Sequence, residues 1–185
     1  MSLAVIGLGN PGNDYEGTRH NAGKILLDHV SSLSGIPLEK KQGEIRFGEG
    51  VWRGERVYLV FPETFMNLSG RVVPWLRLHG VESPSDWLIL SDDLDTPFGM
   101  VRFREKGGSG GQRGIRSILQ AAGSEAIARV KFGIGRPIQI GADISQYVLS
   151  PFTREERLRI PELLQNGGVL VERWVEAHSL KKSKG

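Results

Sequence analysis

Two short, uninterrupted apolar runs, Leu3–Ile6 and Trp87–Leu90, constrain the fold most. Each is too short for a helix, lacks the polar alternation of a half-exposed strand, and ends in glycine or acidic turn chemistry. That is the pattern of strands buried on both faces, which parallel sheets produce when helices cover them. Around them helical and strand patterns alternate. Helical spacing is expected over Asn21–Ser34, with Ile25, Leu26, His29, Val30 and Leu33 recurring near a 3.6 period. Arg46–Arg53 and Arg56–Phe61, separated by Gly54-Glu55, read as a hairpin. Met66–His79 reads as a helix kinked at Pro74 and closed by Gly80. Gly99–Arg104, Arg129–Ile134 and Ile144–Leu149 are further strand candidates, and Gln112–Ala122 a further helix. Thr153-Arg154-Glu155-Glu156 is a capping box opening a C-terminal helix that Pro161 should interrupt. The expectation is one α/β domain over residues 1–179, with a mixed, mostly parallel twisted sheet flanked by helices. Residues 180–185 form a basic tail expected to be disordered.

Composition narrows the chemistry. There is no cysteine, which excludes disulfides, thiolate nucleophiles and cysteine-held metals. No run approaches the ~18 apolar residues of a membrane span, and the first residues lack the basic region of a signal peptide. A cytoplasmic protein is expected. Gly supplies 25 of 185 residues, nearly twice the usual share of about 7%. The net charge of +3 is matched by Lys181, Lys182 and Lys184 in the tail. Local charge says more: residues 101–116 hold Arg102, Arg104, Lys106, Arg113 and Arg116 against Glu105 alone. Glu82, Asp86, Asp92, Asp93 and Asp95 precede them.

Gly7-Leu8-Gly9-Asn10-Pro11-Gly12 fits the spacing of a dinucleotide-binding loop. That loop should open a helix at once, yet Pro11-Gly12-Asn13-Asp14 is turn chemistry. The acidic residue expected about 20 positions on is also missing. An oxidoreductase reading is therefore weak. The same loop carries Asn10, Tyr15, Thr18, Arg19, His20 and Asn21, and His20 sits among polar neighbours at a loop-to-helix junction. His29, His79 and His178 lack such surroundings, and no two histidines are spaced as metal ligands. Asp92-Asp93-Leu94-Asp95 is open to three readings: a cation site, a turn with solvated acids, or a carboxylate that orients a histidine. Asn67 beside Phe65 and Met66 is either a helix cap or an amide aimed at a substrate. Gly107–Gly111 is either a flexible connection or a backbone surface that lets a phosphate chain approach.

Taken together these motifs resemble the bacterial-type peptidyl-tRNA hydrolase family. The matching stretches are Gly7–Gly12, Tyr15, Thr18–Asn21, Pro62–Gly70, Asp92–Asp95, Gly107–Gly111 and Gly133–Pro137, with Tyr147–Phe152 a weaker match. They run in unbroken order from residue 2 to about 160. The resemblance implies a cytosolic, usually monomeric enzyme without metal or cofactor, acting on tRNA. It would cleave the ester between a peptide and the terminal ribose. His20 would be the general base that activates water, and Asp92 would hold and polarise it. Asn10 and Asn67 would align the substrate, with Tyr15, Phe65, Asn21 and Arg113 in the binding cleft. Arg104 and Lys131 would grip a tRNA phosphate. One departure stands out: many members have Gly-His-Asn-Gly where this chain has Gly111-Gln112-Arg113-Gly114. Arg113 can donate but not accept, so its substrate contact would be to a phosphate or the ester carbonyl. A noncatalytic RNA-binding protein on the same scaffold is the alternative.

Overall fold

The computed structural model describes residues 1–185. Twelve principal elements follow in order: β1 (Ser2–Gly7), α1 (Ala22–Ser34), β2 (Lys40–Gln42), β3 (Ile45–Trp52), β4 (Glu55–Pro62), α2 (Val72–Leu78), β5 (Trp87–Asp93), β6 (Val101–Arg104), α3 (Arg113–Ala122), β7 (Ala128–Gly133), α4 (Ile144–Val148) and α5 (Arg154–Ser183). Seven strands form one sheet in the order β2-β3-β4-β1-β5-β7-β6. The inner four, β4, β1, β5 and β7, are parallel. The β2-β3-β4 arm and the β6 edge pair antiparallel. The sheet is mixed, as expected, with β2, β4, β1, β5 and β7 running one way and β3 and β6 the other. The parallel part is confined to the middle, where helices cover both faces.

The apolar runs explain that cover. Ala4 and Ile6 of β1 point to one face and pack with Tyr58, Val60, Ile89, Val73, Leu76, Ile115 and Ile118. Leu3 and Val5 point to the other and pack with Leu59, Leu88, Leu26, Val30, Val171 and Trp174. Each residue of such a strand must be apolar, because neither face meets water. Helix α1 lies so close to β5 that a Cβ on Gly23 would fall 2.1 Å from the Leu90 carbonyl oxygen. Only glycine fits there, and this contact fixes the start of α1 beside the end of β5.

Several local expectations give way to packing. Ile144–Leu149 is helical, not extended: Asp143 accepts the N–H groups of Ser145 (2.9 Å) and Gln146 (3.3 Å) and caps α4. Met66–Arg71 is a 3₁₀ turn leading into α2. Pro74 sits in the first turn of α2, where a missing N–H costs little, so it breaks nothing. Pro161 likewise does not interrupt α5, which the Thr153–Glu156 capping box starts and buried Leu163, Val171 and Val175 hold. Residues 180–185 are not a loose tail, since α5 continues to Ser183 and Lys182 pairs with buried Glu55. The short edge strand β2 carried no sequence signal.

Candidate active site

The parallel strands β4, β1, β5 and β7 all end on one side, and their following loops converge there, where such sheets place their sites. A cleft of about 440 Å³ opens at this edge. Asn10 follows β1, Phe65, Met66 and Asn67 follow β4, and Asp92 and Asp93 end β5. Gly110, Gly111, Gln112 and Arg113 close one side, and Ile144, Ser145, Val148 and Leu149 of the α4 region close another.

At its base, His20 Nδ1 lies 2.9 Å from Asp92 Oδ2. Asp92 is 3% exposed, and the imidazole is the only one in the cleft. A carboxylate on Nδ1 holds the proton there and leaves Nε2 free to accept one. The other Asp92 oxygen, Oδ1, accepts a hydrogen bond from Gln112 Nε2 at 3.0 Å. Asp93 bonds to the Thr96 hydroxyl and Asp95 to Arg136. The three acids are thus committed to separate partners, and Asp92 is the one in contact with a histidine.

The Asn10 side chain is oriented by a neighbour. Its Oδ1 accepts the Met66 N–H at 2.8 Å, so Nδ2 is the end left to donate. That bond also ties the β1 loop to the segment carrying Asn67, which is exposed on the cleft wall. Asn67 does not cap the 3₁₀ turn; Phe65 occupies the cap position and makes no side-chain bond there. Tyr15 and exposed Phe65 meet edge to face at 6.3 Å on the rim.

Asn21 departs from expectation. It is buried, lies outside this cleft, and spends its amide on the Asn10 backbone. The structure thus does not bring its side chain into the cleft with the other expected residues. Arg104 and Lys131 also lie outside the cleft, on the β6-β7 edge. Arg104 stands opposite Arg129, and Arg102 opposite Lys131. Directly opposed residues share a face, so four cations line one side of this edge. Lys131 reaches under the glycine segment, 3.9 Å from where a Cβ on Gly110 would stand.

That segment is not a free connection at its start. The buried Arg129 guanidinium donates to the carbonyls of Gly108 and Gly107, each at 2.6 Å, and to that of Ile127. Burial lowers the Arg129 pKa from its ordinary value; Glu125 opposes this and Arg104 adds to it. Arg19, next to His20, holds the α4–α5 connection through Pro151 and Glu156 and stacks on Tyr147 at 4.4 Å.

Sequence reasoning missed Gln112 as a partner of Asp92, Arg129 as a strut, and the α4 wall. The position of Gln112 just before α3 was its one available signal. The α4 wall was hidden by reading Ile144–Leu149 as a strand.

Fold and site together define an α/β enzyme built around a single carboxylate-held histidine, with asparagine amides on the same cleft. A family model described as peptidyl-tRNA hydrolase matches residues 4–184. A peptidyl-tRNA hydrolase of Citrifermentans bemidjiense is 49% identical over 86% of this chain and 84% of its own. One from Brevibacillus brevis is 42% identical over 96% and 93%. The crystal structure of peptidyl-tRNA hydrolase from Acinetobacter baumannii superposes with a TM-score of 0.84 at 30% identity, covering 98% of this chain and 91% of that one. The chain belongs to the peptidyl-tRNA hydrolase family.

Proposed function

We propose that this protein hydrolyses the ester joining a peptide, or an N-blocked aminoacyl group, to the 3′-terminal ribose of tRNA. The observation that carries the reading is the 2.9 Å contact between His20 Nδ1 and Asp92 Oδ2 at the base of a cleft shared with Asn10 and Asn67. His20 Nε2 takes a proton from water as that water attacks the ester carbonyl. Asp92 stabilises the imidazolium that forms. The carbonyl oxygen gains charge and is met by amide donors, of which Asn10 Nδ2 is oriented in advance by the Met66 bond. Collapse of the tetrahedral intermediate expels the ribose oxygen, which His20 reprotonates. An ester is activated enough that no covalent enzyme intermediate is required.

Phe65 and Tyr15 offer apolar and aromatic surface to the peptide side. Arg113 donates from the cleft wall to a terminal phosphate or the ester carbonyl. Arg104 and Lys131 bind a backbone phosphate further out. On this reading the enzyme acts as a monomer in the cytoplasm, where translation supplies its substrate. No helix is long and apolar enough to cross a membrane.

The deciding experiment compares wild type with His20→Ala on an N-blocked aminoacyl-tRNA. Wild type should release free tRNA and the variant should be slower by about 10³-fold. Equal rates would remove His20 from the chemistry. RNA binding without any cleavage by wild type would favour a noncatalytic RNA-binding protein.

A further inference from the structure

We infer that Gln112 is a positioning residue for this reaction, holding the Asp92 carboxylate in the orientation that serves His20; the inference rests on the hydrolase reading above. The carboxylate is buried, and no Lys or Arg lies within ion-pair distance of it. Its side-chain partners are His20 on Oδ2 and Gln112 on Oδ1. Without Gln112, one oxygen would be left unbonded in a site where water is scarce. The carboxylate could then turn and bring the wrong lone pair to the ring.

The Gln112 amide is itself held. Its Oε1 accepts the Ile115 N–H at 2.8 Å, capping the N-terminus of α3. Turning the amide over would set an oxygen against the carboxylate and an NH₂ group against an N–H donor. Both contacts repel, so only one orientation survives. Helix α3 therefore fixes the amide, the amide fixes the carboxylate, and the carboxylate fixes the imidazole. A glutamine here keeps its charge state at every pH. The groups facing the cleft that can change charge are then His20, Asp92, Asp93 and Tyr15, with Arg113 a constant cation.

Two variants separate this role from plain support of the helix. Gln112→Asn keeps an oxygen able to cap α3 but is one methylene too short to reach Asp92 as well. Gln112→Glu keeps length and cap but replaces the donor with a second carboxylate. For Gln112→Asn, kcat should fall about tenfold with KM within about twofold when assayed well below its melting point, and Tm should fall by roughly 2–6 °C for the oxygen left unbonded. Gln112→Glu should lose more, with the acid limb of its pH–rate profile moved to higher pH, because two adjacent carboxylates share a proton. The ¹⁵N spectrum of His20 should show the Nδ1–H tautomer in wild type and a mixture in Gln112→Asn.

An unchanged kcat together with an unchanged imidazole spectrum in Gln112→Asn would overturn the inference. If wild type cleaves no peptidyl-tRNA, the hydrolase reading fails instead. The His20 spectrum then still decides whether Gln112 orders the pair.

Discussion

The side-chain amide of Asn21 clasps the backbone of Asn10 at both ends: its Oδ1 accepts the Asn10 N–H at 2.9 Å, and its Nδ2 donates to the Asn10 carbonyl at 3.0 Å. A residue at the start of α1 thereby sets the loop after β1. Gly9 makes room for it, since a Cβ there would meet Asn21 Cγ at 3.0 Å. Asn21→Asp removes the donor and buries a charge, which should cost about 3 kcal/mol. That corresponds to a Tm lower by roughly 6–12 °C for a chain of this size. Activity should fall with it, because Asn10 loses its setting. An unshifted melting curve would show that the clasp is not holding the loop.

Asp92→Asn tests the orienting carboxylate directly. The amide can present its NH₂ to His20 Nδ1, which selects the tautomer with the proton on Nε2 and abolishes the base. A kcat loss of about 10²–10⁴ is expected, on the scale at which carboxylates orient histidines in acyl transfer. Adding Gln112→Asn to Asp92→Asn should cost far less than it does in wild type, since both act through one contact chain. Fully additive losses would place the two residues on separate tasks.

Strands β1, β3, β4, β5, β6 and β7 and helices α1 and α3 were legible because they rest on local chemistry: apolar runs, turn residues and helical spacing. The His20–Asp92 pairing, 72 residues apart, came from the family resemblance, since the residues alone left three readings of the acids open. The placement of Asn21 apart from the cleft was not legible, because proximity in sequence to His20 says nothing of which way a side chain turns. Ile144–Leu149 misled because its apolar residues suit either period over so short a stretch. The Asp143 cap decided the matter in favour of a helix. Pro161 and the terminal lysines misled for a tertiary reason: α5 packs along the sheet, and Lys182 finds Glu55, 127 residues away. The contacts of Gln112 and Arg129 required knowing which loops meet, and no spacing in the chain reveals that.

Glu63 should make stability fall in acid. Burial raises its pKa, but hydrogen bonds from Lys41 and Arg46 outweigh this, and the net shift is downward from 4.5. A carboxyl with a lower pKa folded than unfolded contributes its full stability above about 4.5 and loses it as the pH falls through the folded value. Glu63 follows β4 directly, so the loss begins beside the segment that carries Asn67. Glu63→Gln should lower stability by about 1 kcal/mol at pH 7 and flatten the decline between pH 5 and 3. Urea melts across that range would show it; parallel curves for both proteins would contradict it.

Arg129 is a structural cation that carbonyls hold in place of a carboxylate. Arg129→Met should strand the carbonyls of Gly107 and Gly108 and cost about 2–4 kcal/mol. Arg129→Lys keeps the charge but cannot span both carbonyls with one planar fork, so it should recover only part. Because Gly110 and Gly111 line the cleft, KM should rise in both variants beyond what their stability loss explains. Steady-state kinetics at a temperature where each variant is fully folded separates the two effects.

Arg104, Lys131 and Arg113 make different predictions although all are cations near one cleft. Arg104 and Lys131 do not line it and stand on the β6-β7 edge. If each meets one phosphate, Arg104→Ala and Lys131→Ala should raise KM without lowering kcat. Each should also reduce the slope of log affinity against log salt by about 1. Arg113 lines the cleft itself. Arg113→Asn should change kcat as well if Arg113 meets the ester carbonyl. It should change KM and the salt slope alone if Arg113 meets a terminal phosphate. Rates for the three variants at two salt concentrations distinguish these cases, and unchanged kcat and KM in Arg113→Asn would remove Arg113 from substrate contact.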